Sequence, residues 1–173
     1  MKLSRSVVIA ASLVCVLCLS LTLVFAMDAP DNRASAAGLR QVGLIVIGPG
    51  ADAERDGLIA KQLYVDVELR LLKAGVKVVP DADLQKLPGR PILVLTINTM
   101  KRKALGSYVY DTSLELRQSV SLIRDPNSTC VAATWSAQGA LGITSTSKLA
   151  PQIRKSVADM SDQFLTAALA APK

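Results

Sequence analysis

Histidine is absent from the 173 residues of this chain, aromatic side chains make up only 3%, and cysteine occurs three times. Without histidine the chain lacks the commonest general base, the commonest metal ligand and the side chain that titrates near neutrality. Histidine-dependent catalytic triads and HExxH-type zinc sites are therefore excluded. Phosphate-binding signatures are missing as well: Gly48-Pro49-Gly50 fits neither GxxxxGK followed by Ser or Thr nor GxGxxG, and it reads as a plain turn. Acidic residues are the minority, 14 Asp+Glu against 20 Lys+Arg, for a net charge of +6. The charges are scattered, as in an ordinary soluble surface, with enough positive excess to suit an acidic partner or anionic headgroups.

What is present begins with Lys2 and Arg5, followed by an uncharged run from Ser6 to Met27 in which Val24-Phe25-Ala26 offers a signal-peptidase site. The run is longer than the ~7–15 apolar residues of an ordinary export signal and close to the ~20 that span a bilayer. Residues 1–26 are thus expected to be a signal peptide or a signal anchor. Cleavage after Ala26 makes the protein periplasmic or secreted. Retention anchors it in the inner membrane with the domain outside. A lipoprotein site would need a small residue before the modified cysteine, and Val14 and Leu17 precede Cys15 and Cys18. Loss of Lys2 and Arg5 would lower the net charge from +6 to +4, and loss of the leader would leave Cys130 alone, with no internal disulfide.

Residues 27–40 lack periodicity and read as a flexible spacer, and residues 41–170 as one domain. Val42–Ile47 has the continuous apolar character of a buried strand. Asp52–Ala74 reads as one helix, N-capped by Asp52, with an apolar stripe of Leu58, Val65, Leu69 and Leu72 and Gly75 beyond its end. Val76–Val79 is a short strand. The three prolines of residues 80–91 argue against regular structure there, and Ile92–Lys101 is a strand. From Tyr108 to Leu122 apolar and polar residues alternate, which predicts an antiparallel strand with one polar face. Asp125–Ser128 has turn chemistry, and Thr129–Gln138 is the returning strand. Ser147–Ala170 carries Leu149, Ile153, Val157, Met160, Phe164 and Ala168 at helical spacing, with Pro151 in the first turn. The order β-α-β-β-β-β-α predicts an α/β (α+β) two-layer sandwich. Two amphipathic helices would cover one face of a mixed, mainly antiparallel sheet whose other face is polar.

The segments Gly57–Val79, PGRPILVLTIN, SYVYDTSLELRQSVSLIR and CVAATWSAQG resemble a family of small exported bacterial proteins of unassigned activity. In architecture the element order is similar to the TolB amino-terminal domain and the CsgG-like assembly lipoproteins, although this chain lacks their lipobox. The resemblance implies binding to other envelope proteins, by analogy of fold.

Chemistry-bearing residues read as structural. Asp66 and Glu68 point to different helix faces, and Asp111 and Glu115 share a strand face too far apart to act as a carboxylate pair. Ser145–Lys148 resembles a helix cap more than a Ser-Lys nucleophile, and Cys130 reads as a buried structural thiol. Asn127-Ser128-Thr129 is formally a glycosylation sequon, which matters only in a eukaryotic secretory pathway. No catalytic, cofactor or metal site is expected. Lys101, Arg102 and Lys103 form a basic turn beside Tyr108 and Tyr110, with Trp135 on the neighbouring strand; these six are the partner-binding candidates, the tyrosines also suiting the core. Nucleic acid is disfavoured because no basic stripe interleaved with aromatics is present. The expectation is an exported, non-enzymatic envelope accessory or assembly domain that binds a protein and possesses a surface able to meet a membrane. The alternative is a small-molecule or lipid carrier with a cleft between helices and sheet.

Overall fold

A computed structural model describes residues 30–171. The expected leader, residues 1–26, and the first residues of the expected spacer lie outside the described residues. No described helix is long and apolar enough to cross a membrane.

Alternating burial builds one sheet from β1 (Gln41–Ile47), β2 (Lys77–Val78), β3 (Ile92–Arg102), β4 (Ser107–Leu122) and β5 (Asp125–Ser145), in the order β2-β1-β3-β4-β5. β1 pairs in parallel with β2 and β3, while β3 with β4 and β4 with β5 are antiparallel. The helices are α1 (Pro30–Ala36), α2 (Ala51–Arg55), α3 (Ala60–Lys73), α4 (Asp81–Leu84) and α5 (Thr146–Ala168). The protein is an α+β sandwich with a mixed, mainly antiparallel sheet.

The core lies between the sheet and helices α3 and α5. Val42 and Leu44, Leu93, Leu95 and Ile97, and Tyr108, Tyr110, Leu114 and Leu116 supply its sheet side. Leu149, Ile153, Val157, Met160 and Phe164 project from α5, and all are buried. The stripe read from sequence is thus the packing face of this helix, each such side chain contributing about 1.5–3 kcal/mol by leaving water. Trp135 meets Phe164 edge to face, with ring centroids 5.4 Å apart. Pro151 is the sixth residue of α5 and so falls in its second turn rather than its first.

The structure corrects several boundaries. The expected helix Asp52–Ala74 is two, because the chain breaks at Asp56-Gly57, where Gly57 takes a positive φ of 95°. Gly50, not Asp52, occupies the N-cap of α2. The buried face of α3 is Leu63, Val67 and Leu71, leaving Val65, Leu69 and Leu72 exposed. Within the expected spacer, α1 buries Ala36 in the core, and the Ser35 hydroxyl donates to the Thr134 carbonyl at 2.9 Å. The proline-containing loop holds α4, whose buried Leu84 packs over Gly43 on the other sheet face. A Cβ at Gly43 would stand 2.9 Å from Leu84.

The β4–β5 connection turns at Ile123-Arg124, so Asp125–Ser128 belongs to β5, which continues well past Gln138 to Ser145. β3 pairs with β4 only as far as Arg117, so beyond that point β4 and β5 project as a two-stranded ribbon. Cys130 sits on this ribbon and is exposed rather than buried, because no helix covers it. The sheet face opposite the long helices is also less polar than expected: Ile45, Ile47, Met100, Leu141 and Ile143 are all exposed there.

Candidate functional site

The basic turn divides according to the pleat. Lys101 lies opposite Tyr108 in register, and both point toward the core side, where Asp56 waits at the end of α2. The Lys101 ammonium donates to Asp56 Oδ2 at 2.6 Å, and the Tyr108 hydroxyl donates to the same oxygen at 2.5 Å. The ammonium also stands 5.6 Å from the centroid of the Tyr108 ring. Hydrogen bonding from Lys101, then from Tyr108, holds the Asp56 carboxyl below its usual range. The bond to Asp56 raises Lys101, while burial, reinforced by Asp56, raises the Tyr108 phenol. This cluster ties the α2–α3 break to the end of the sheet.

Burial therefore takes three of the six partner-binding candidates off the surface, and an ion pair engages a fourth, which is partly exposed. Tyr108, Tyr110 and Trp135 occupy the core register, with Trp135 opposite Leu116, and Lys101 is engaged by Asp56. Arg102 and Lys103 remain exposed. Arg102 shares the open sheet face with Met100, and Met100 begins an apolar row: Met100 is opposite Val109, and Val109 is opposite Ile143. Asn98, Asp111 and Leu141 form the adjacent row. Met100 is 61% exposed, Ile143 66% and Leu141 77%, so this is an apolar surface in water with a cationic margin at Arg102 and Lys103. Sequence reading missed Leu141 and Ile143 because it ended β5 at Gln138, where Gly139 and Ala140 interrupt the alternation.

That interruption has a definite packing cause. At Gly139 a Cβ would come within 2.2 Å of Thr112 Oγ1. The bulge turns the Ala140 N–H inward, where it donates to Thr112 Oγ1 at 3.0 Å and to Ser156 Oγ at 2.9 Å. The two hydroxyls are themselves 2.8 Å apart, so a polar bridge joins β4, β5 and α5.

The carboxylates do not converge. Asp66 binds Arg154, Glu115 binds Arg117, and Asp111 accepts from Asn98. Among the described residues no group of His, Cys, Asp and Glu could hold a metal ion. Ser145 is the N-cap of α5 but makes no side-chain capping bond. A concavity of about 390 Å³ lies between α5 and the sheet, lined by Tyr110, Gln138, Gly139, Ser156 and Met160, and another lies between α3 and α5. This groove of about 610 Å³ has Val67, Leu69, Val157 and Leu165 along its walls, and the pairs Arg70–Asp162 and Arg154–Asp66 bridge it.

No family model matches this chain, and no curated protein matches it.

Proposed function

We propose that this protein is an exported, non-enzymatic accessory or assembly domain of the cell envelope that acts by binding another protein. The observation that carries the reading is the open-face row Met100, Val109 and Ile143, exposed at Met100 and Ile143 and half-buried at Val109, with Arg102 and Lys103 at its margin. An apolar patch rimmed by polar groups is the usual form of a protein contact, and two cations beside it select an acidic partner surface. The basic residues Lys2 and Arg5 ahead of a long apolar run support export. The test is affinity capture of the tagged chain from solubilised envelope after crosslinking in the cell, comparing wild type with Arg102→Glu/Lys103→Glu. Loss of one stoichiometric partner, with thermal stability unchanged, is the expected result; the same partner at the same yield from both chains would overturn it. Lys101 is left alone in this test because reversing it would break its pair with Asp56.

The cleft between α5 and the sheet, together with the groove between α3 and α5, favours a second reading, a carrier of a small molecule or lipid. A ligand retained through purification and identified by mass spectrometry, in a preparation without a protein partner, would decide for the carrier.

A further inference from the structure

The two edges of the sheet are treated differently. β2 is two residues long and starts with Lys77, so it offers little to pair with. β5, at the other edge, is 21 residues long and carries no charged side chain from Pro126 to Ser145. Its unpaired backbone groups form a template for another strand. Parts of that edge are already occupied or distorted: Ser35 binds the Thr134 carbonyl, and the Ala140 N–H is turned inward to Thr112 and Ser156. From Leu141 to Ser145, however, β5 runs in unbroken register against Asp111 to Ser107.

We propose that Leu141–Ser145 pairs antiparallel with the same segment of a second copy of this chain, about a two-fold axis at Ile143. The inference is independent of the envelope partner proposed above. Three observations favour a second copy over a foreign strand. The segment is uncharged, so apposing it to itself incurs no like-charge repulsion, whereas the chain as a whole carries +6. An antiparallel pairing of identical strands is isologous, each copy meeting the other's donors with its acceptors. Finally, the register continues the apolar row: Met100, Val109 and Ile143 of one copy would run directly into Ile143, Val109 and Met100 of the other. Directly opposed residues lie on one face of a sheet, so the two patches become one. The other unbroken runs of β5 offer no such row: in Thr129–Ala133, Val131 faces Ser119, and in Trp135–Gln138, Ser136 and Gln138 face Glu115 and Ser113.

Sedimentation equilibrium of the full-length chain in density-matched detergent tests the proposal, at concentrations reaching tens of micromolar because the pairing segment is short. The wild type is expected to dimerise. Ile143→Lys, at a site already exposed, should keep the fold by circular dichroism and weaken the dimer about tenfold or more, as a lysine does on a pairing edge. Val131→Lys should leave the dimer unchanged. Register is read separately in a chain whose native cysteines are replaced by serine. Ile143→Cys should form an intermolecular disulfide under mild oxidation, because opposed Cα atoms lie about 4.5–5.5 Å apart. Met100→Cys should not, being roughly 24 Å from its counterpart across five strand spacings. A wild type that sediments as a monomer overturns the proposal and leaves the edge for a foreign strand or none. A dimer that survives Ile143→Lys, or is lost equally in Val131→Lys, overturns it too.

Discussion

Replacing Thr112 by valine and Ser156 by alanine, singly and together, probes the bridge that holds β4, the β5 bulge and α5 in register. The Ala140 N–H has two acceptors, Thr112 Oγ1 at 3.0 Å and Ser156 Oγ at 2.9 Å. Either single substitution removes one of these and also the 2.8 Å bond between the two hydroxyls, so each should cost about 2 kcal/mol at the ordinary net worth of about 1 kcal/mol per hydrogen bond. The double variant removes all three bonds, about 3 kcal/mol, because the shared bond is lost only once. It also leaves the amide without a partner, which adds the ~1–3 kcal/mol penalty of an unsatisfied polar group and brings the pair to about 4–6 kcal/mol. Thermal unfolding followed by circular dichroism reads this as a fall in Tm of about 6 °C for each single variant and about 15 °C for the double. A double variant that costs clearly less than the sum of the singles would refute the reasoning, because it would mean that water reaches the bulge and satisfies the amide.

Acid and alkali should both loosen the α2–α3 break. Asp56 is held below its unfolded value, so its contribution is complete above about pH 3.9 and is lost as pH falls through the lowered folded value. Lys101 and Tyr108 are raised, so theirs is complete below about pH 10 and disappears as pH rises through the folded values. Tyr108→Phe should flatten part of the alkaline loss in a pH series of urea melts; an unchanged profile would count against the cluster. Phe164→Ala should cost about 3–5 kcal/mol, measured by urea unfolding, because Phe164 is fully buried against Trp135.

The parts of the fold that could be read from sequence are those in which one face alone is apolar. The α5 residues Leu149 to Phe164 and the β4 residues Tyr108 to Leu116 satisfy that condition, and their buried faces match their periodicity. Helix α3 does not: it is apolar on two sides, and only tertiary packing selects Leu63, Val67 and Leu71 over Val65, Leu69 and Leu72. The polar, small-residue segment of α1 has no signal of its own, since its order depends on contacts with β5 and α5 such as Gly38 N–H to the Ala168 carbonyl. In β5 the Gly139-Ala140 bulge hides the continuation to Ile143. The basic turn could be located from sequence, but its division into a bound Lys101 and an exposed Arg102 required the register with β4 and the position of Asp56.

The central claim is that the open sheet face beside Arg102 meets a specific envelope protein. A photo-activatable crosslinker placed at Arg102 in the living host, with Lys86 as the exposed control, tests it most directly. One discrete adduct from position 102, absent from position 86, is the predicted result. No adduct from position 102, or the same adducts from both positions, would contradict the account.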